Sequence, residues 1–157
     1  MTQHVRWFGA SIAAAILIAD LSSKAAMVSF LTGSGDRVEL LPFLDLRLGY
    51  NRGISFGLLG SYGDWMPWVL ALVAFLVSAY LATLLWRTTN KRDAIWIGLI
   101  IGGALGNAID RLIDGVVTDF IDLHVFEYHW PTFNFADIAI VLGVAIVLLG
   151  STRNSAK

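Results

Sequence analysis

Apolar residues come in four long blocks, and the polar residues gather at a few junctions between them. The blocks run over about 7–28, 65–86, 94–111 and 132–151. A bilayer span takes about 20 mostly apolar residues. A lipid-facing segment must also satisfy its own backbone hydrogen bonds, so each block predicts a helix. The first is uniformly apolar as far as Ala19 and is then broken by Asp20 and Lys24; the second carries no charge. The third ends in Asp110 and Arg111, and the fourth holds Asp137 near its start. Between the first two blocks, Leu44 to Leu48 reads LDLRL, the alternation of a strand with one buried face. Pro42, Gly49 and Gly53 punctuate it. The expected architecture is a membrane all-α bundle of four transmembrane helices. A small extracytoplasmic β element, about residues 36–62, should lie between helices 1 and 2 on the outer membrane surface.

Composition strengthens this reading. The 157 residues are 57% hydrophobic and 15% charged, with a mean hydropathy of +0.69. A soluble domain usually carries about 25% charge. The length suits one domain, 1–157. A net charge of −1 gives no field to attract nucleic acid. The absence of cysteine excludes disulfides, a thiol nucleophile and a Cys-ligated metal. Arg6 followed by an apolar run resembles a signal peptide, but no convincing small-x-small cleavage site follows, so an uncleaved first span is expected.

Basic residues favour the cytoplasmic side. Arg6, the Arg87–Lys91–Arg92 group, and Arg153 with Lys157 fall on one side of a four-span chain, which puts both termini in the cytoplasm. Trp7, Trp65, Trp68, Trp86 and Trp96 stand near span ends, as interfacial anchors do. Gly98, Gly102 and Gly106, at four-residue spacing, make a close-packing helix face, within the chain or against a copy.

With that orientation the polar groups converge. Asp20 and Lys24 lie toward the outer end of the first span, Asn107, Asp110 and Arg111 at the outer end of the third, and Asp137 at the outer start of the fourth. Asp119 stands in the segment just before it. Ionisable groups at membrane depth cost several kcal/mol unless they face the bundle interior and find partners. One shared polar site near the outer surface is therefore expected. Asp20 and Lys24, four apart on a helix, also have a purely structural reading as a neutralised pair, and Asp110 one as a helix-end marker. Asp137 needs a partner, and Asp119 is the natural candidate. Two close carboxylates in a low dielectric share one proton, which leaves a base to activate water and an acid to protonate a carbonyl. A structural role or an ion pathway is the alternative reading of the same pair.

Other constellations are weaker. Gly33–Asp36 spells GxGD, as in presenilin-like proteases, but sits in a polar loop and reads as a turn. Ser23 and Lys24 resemble the leader-peptidase pair, yet helix neighbours do not face each other. Asp122, His124, Glu127 and His129 lack the HExxH spacing and read as a solvated or interfacial face, so no metal and no cofactor are expected.

Five motif blocks occur in order: DLSSK from Asp20, NRGISFG from Asn51, GGALGNAIDR from Gly102, GVVTDF from Gly115 and FNFAD from Phe133. In these, over nearly its whole length, the chain resembles the prolipoprotein signal peptidases, the signal peptidase II family. The resemblance implies an Asp119–Asp137 catalytic dyad, with Asp20, Lys24, Asn51, Gly53, Asn107, Arg111 and Asn134 lining or supporting the site. It implies an aspartic endopeptidase of the bacterial cytoplasmic membrane, active at its outer face. The substrate would be a prolipoprotein, cut just before a cysteine that already carries diacylglycerol. The implied inhibitor is the peptide antibiotic globomycin. Asn51 and Arg52 are expected to face the substrate, beneath a β element acting as a lid. Arg111 is expected to pair with an acidic residue and hold the segment bearing Asp119. The rival functions are a small proton-coupled transporter subunit, whose polar groups should be spaced across the bilayer, and a non-catalytic assembly protein.

Overall fold

The structure, a computed structural model, describes residues 2–53 and 63–154. The expected β segment extended to residue 62; its part from 54 onward, with Ile54–Gly57 of the second motif block, lies outside the described residues.

The described elements are α1 (Thr2–Thr32), β1 (Arg37–Leu41), β2 (Leu44–Asn51), α2 (Met66–Arg87), α3 (Lys91–Asp114), β3 (Val117–Val125), β4 (Tyr128–His129) and α4 (Phe135–Asn154). All four apolar blocks are helical. Three of the helices are long and apolar enough to cross a membrane, and the fourth has a shorter apolar stretch, Phe135–Gly150. Local chemistry fixes several ends. Pro67 opens α2, where a missing N–H costs nothing. The Asn90 side chain accepts from Arg92 N at 2.9 Å and caps α3. Gly115 closes α3 at φ 71°, a left-handed position where glycine carries no Cβ penalty.

The packing is inside-out relative to a water-soluble protein. Large apolar side chains such as Trp68, Leu72, Leu76, Tyr80, Val141 and Leu148 lie exposed on α2 and α4. The apolar core is small, centred on Val5, Leu81, Leu85, Ala94, Ile97 and Ile101. Asp20, Lys24, Asn107, Asp110, Arg111, Asp119 and Asn134 are all buried. An apolar exterior around polar groups is what a hydrocarbon solvent demands.

Helix α3 is the hub, packed against α1, α2 and α4. The glycine stripe is an internal seam. A Cβ at Gly98 would meet Gly9 O at 2.5 Å, one at Gly102 would meet Ala13 O at 2.6 Å, and one at Gly106 would run into the Asp20 carboxylate. The opposite side of α3 does the same for α4, where a Cβ at Gly103 would strike Ala136 O. At the other end, Arg92 donates to Ile146 O at 3.0 Å, which ties α3 and α4 together antiparallel.

The β element departs from expectation in two ways. Among the described residues, the segment between α1 and α2 supplies β1 and β2; β3 and β4 come from between α3 and α4 and complete a four-stranded sheet of order β1-β2-β3-β4. All the described pairings are antiparallel. Residues 117–125 form a strand because their β-branched and aromatic side chains suit one. The carboxylates at 119 and 122 masked that pattern. Second, the most buried side chain of LDLRL is Asp45, not a leucine. Asp45 stands directly across from Asp122. Both are buried, with Arg37 at 2.9 Å from Asp45 and His129 at 2.9 Å from Asp122. Asp122 was expected on a solvated or interfacial face; it is buried, with its carboxylate bonded to His129 and 3.8 Å from Arg47.

Candidate active site

Asp119 and Asp137 lie in the chain on either side of a fold-back. β3 runs out to a tight turn at 126–127, β4 returns, and the chain then runs beside β3, with Phe133 bridged to Ile121. Phe133 N donates to Ile121 O at 3.0 Å, and Phe133 O accepts from Ile121 N at 2.9 Å. On its other edge β3 pairs with β2, which places Asp119 across from Gly49. Asp119 is thus held between β2 and the approach to α4. The Phe120 and Phe135 rings, edge to face at 5.6 Å, pack strand against helix.

Helix α4 begins at the site, and its first turn is capped reciprocally. Asn134 Oδ1 accepts from Asp137 N at 3.0 Å, while Asn134 N donates to Asp137 Oδ2 at 3.3 Å. This is the capping-box exchange made with Asn and Asp in place of Ser and Glu. The other Asp137 oxygen accepts from Asn107 Nδ2 at 2.8 Å. Asn134 also donates from Nδ2 to Asp119 Oδ1 at 2.6 Å, so one amide side chain touches both acids' residues.

Behind this pair lies a buried ionic cluster. Lys24 Nζ is 2.7 Å from Asp20 Oδ2 and 2.9 Å from Asp110 Oδ2. It donates to Asn107 Oδ1 at 2.9 Å. An ammonium only donates, so the Asn107 oxygen must face Lys24 and its NH2 must face Asp137. Asp20 Oδ1 accepts from Ala136 N at 2.9 Å.

Asn51 lines the cavity, hydrogen-bonds Asp119 and accepts from Gly53 N at 2.9 Å. Arg111 donates to Gly53 O at 2.8 Å and to Asn107 O at 3.2 Å. It therefore secures the end of β2. The segment bearing Asp119 is held instead by Asp110, whose Oδ2 accepts from Thr118 N at 3.2 Å. Asp110, expected either at the shared polar site or as a mere helix-end marker, is buried and bonded to both Lys24 and Thr118 N. Arg52, expected to face the site, is exposed and lies 3.5 Å from Asp64.

Asp119 is buried, and burial together with the nearby Asp137 charge pushes its carboxyl up to about 7. The amides of Asn134 and Asn51 and the charge of Lys24 oppose that rise. A carboxyl poised there can donate or accept a proton at neutral pH. Asp119 and Asp137 both open into a cavity of about 630 Å³, lined further by Asn51, Asn107 and Arg111 and by apolar side chains including Ala74, Val117, Ile138 and Val141. Among the described residues, no three His, Asp or Glu side chains are arranged to hold a metal ion.

Such a fold and site define a helical membrane protein whose polar centre is built around two neighbouring carboxylates. The family profile described as "Signal peptidase (SPase) II" matches residues 12–153. The chain is 38% identical over 164 residues to the lipoprotein signal peptidase of Aeromonas hydrophila, covering 100% of this chain and 96% of that one. It is 43% identical over 148 residues to that of Methylocella silvestris, covering 93% and 86%. A solved structure described as a bacterial membrane enzyme superimposes with a TM-score of 0.79 at 28% identity, over 94% of this chain and 88% of the other. The chain belongs to the signal peptidase II family of aspartic peptidases, which cleave lipoprotein signal peptides.

Proposed function

We propose that this chain is the endopeptidase that removes signal peptides from diacylglyceryl-modified prolipoproteins, cutting just before the lipidated cysteine, with Asp119 and Asp137 as its catalytic pair. The observation that carries the reading is one cavity lined by both carboxylates and, for much of its wall, by apolar side chains. A lipid-anchored peptide offers the matching chemistry, a scissile amide beside acyl chains. In the resting pair one proton sits on Asp119, the buried member whose carboxyl is raised to about 7. Asp137, with both oxygens turned to amide donors, takes a proton from water as that water attacks the scissile carbonyl. Asp119 gives its proton to the carbonyl oxygen. The tetrahedral diol then collapses: one hydroxyl proton returns to Asp119 as the C=O re-forms, the C–N bond breaks, and the amine leaves with the proton Asp137 acquired. Asn51, which bonds Asp119 and lines the cavity, is placed to meet the substrate backbone. Lys24, Asp20, Asn107, Arg111, Gly53 and Asn134 support the pair.

The chain works as one domain, 1–157, in the bacterial cytoplasmic membrane. It has four spans, both termini in the cytoplasm and the site at the outer leaflet. The shorter apolar stretch of the fourth helix, Phe135–Gly150, suffices because that helix begins at the site, below the headgroups. Globomycin, a lipophilic peptide antibiotic, inhibits by occupying the same cavity. The alternative of a proton-coupled transporter is disfavoured by α2, which carries no Asp, Glu, His, Lys or Arg between Met66 and Trp86 to continue a path.

The test is a cleavage assay with purified protein in detergent, given a prolipoprotein with or without diacylglycerol on its cysteine and analysed by mass spectrometry. The expected product begins at the lipidated cysteine, forms only from the modified precursor, and is unaffected by chelator. No product, or a cut elsewhere, would contradict the assignment.

A further inference from the structure

The buried Asp20–Lys24–Asp110 cluster has a geometry that charge neutralisation alone does not require. Lys24 binds two carboxylates, and each carboxylate in turn holds one backbone amide. Asp20 holds Ala136 N at 2.9 Å, one residue before Asp137. Asp110 holds Thr118 N at 3.2 Å, one residue before Asp119. Those two amides begin different elements, α4 and β3, and the ion pairs at 2.7 and 2.9 Å are the link that joins them through one atom, Lys24 Nζ. The same atom orients Asn107 toward Asp137. A buried ionic triad is expensive, and an apolar replacement often stabilises a fold. Its retention here needs a reason other than stability.

We infer that Lys24 is a positioning residue that sets the separation of the two aspartates, acting through Asp20 and Asp110 on the amides that precede them. This rests on the peptidase reading and adds to it how the pair is held at working distance. Without the ammonium, the two carboxylates repel and carry α4 and β3 apart. The reacting water would then be held by one acid or the other. A misplacement of about 1 Å in a catalytic group costs on the order of 10²-fold in rate.

The two carboxylates are used differently, and the difference supplies the test. Asp20 uses both oxygens, Oδ2 for Lys24 and Oδ1 for Ala136 N. Asp110 uses a single oxygen, Oδ2, for both Lys24 and Thr118 N. An asparagine has one acceptor oxygen. Asp110→Asn therefore keeps both contacts, whereas Asp20→Asn must turn an NH2 toward either an ammonium or a backbone N–H. The experiment measures kcat, KM and the pH–rate profile of full-length Lys24→Met, Asp20→Asn and Asp110→Asn on a diacylglyceryl-modified prolipoprotein. Lys24→Met and Asp20→Asn should lose about 10²-fold in kcat with KM changed less than about threefold. Asp110→Asn should stay within about tenfold of wild type. Loss of the Lys24 charge should also move the pH–rate profile to higher pH, and loss of the Asp110 charge should move it to lower pH. A purely packing role moves neither profile.

Wild-type kcat in Lys24→Met, equal damage in the two asparagine variants, or profiles that do not move would overturn the inference. Should Lys24→Met fail to fold, the contrast between the asparagine variants decides alone. A wild-type protein that leaves the precursor intact would instead sink the peptidase reading, and this inference with it.

Discussion

Asn134 shows how much one side chain carries at this site. Its amide oxygen caps α4 through Asp137 N, and its NH2 reaches Asp119 at 2.6 Å. Asn134→Ala removes both contacts and is expected to lower kcat and to cost about 1 kcal/mol of helix capping. Steady-state kinetics and thermal unfolding in detergent read the two effects separately. Asn134→Asp keeps the cap but sets an anion against Asp119, so its activity should fall further as pH rises. Asp119 itself makes a pH-dependent contribution to stability. Its carboxyl is raised from 3.8 to about 7 on folding, so the folded protein binds a proton that the unfolded chain has released. The associated stability is complete below 3.8 and is lost as pH rises through about 7. Asp119→Asn has no such term. Its melting temperature should gain on wild type between those two pH values and keep a constant lead above them. Parallel melting curves across that range would contradict the raised carboxyl.

At the scale of elements, the helices were legible because lipid imposes a crude rule, and long apolar blocks obey it. The glycine spacing on α3 was legible for a related reason: close backbone approach needs a residue without Cβ. The spacing alone did not give the neighbour, which is α1, with Asp20 seated against Gly106. Gly106→Ala should therefore displace Asp20, cost about 1–3 kcal/mol of overpacking and lower kcat. Gly98→Ala, far from the site and against Gly9 and Ile12, should destabilise without changing the turnover of the folded protein. Unfolding curves paired with kinetics on both variants check the distinction. The second half of the sheet was harder to read. Asp119 and Asp122 look like loop residues, because strand patterns are recognised by apolar burial and here two of the buried groups are acids. Their partners come from Asn134 and His129, fifteen and seven positions away, and no local pattern encodes that pairing. Asp110 was placed at the shared site by its depth, but its contacts with Lys24 of α1 and with Thr118 N are ones that only the tertiary fold supplies.

Across the whole molecule, the design inverts the usual distribution, with large apolar side chains outward and a buried polar centre. Convergence of Asp20, Lys24, Asn107, Asp119 and Asp137 at one level followed from sequence, since span direction and residue position fix depth. The absence of cysteine makes the proposed orientation easy to test. A single cysteine at Glu127, which is exposed at the sheet tip, should react with a membrane-impermeant maleimide in intact spheroplasts. One at Thr89, exposed between α2 and α3, should react only after permeabilisation. The reverse pattern would invert the molecule in the membrane. The central claim is narrower: two carboxylates, brought together by the fold-back of β3 onto α4, act on one water. Single-turnover cleavage of a lipidated prolipoprotein by Asp119→Asn and Asp137→Asn tests it most directly. Each substitution alone should reduce the rate by at least about 10³-fold, with the folded state retained, because a residue acting as half of a unit is worth nearly the whole unit. Cleavage at a near-wild-type rate by either variant would contradict the account.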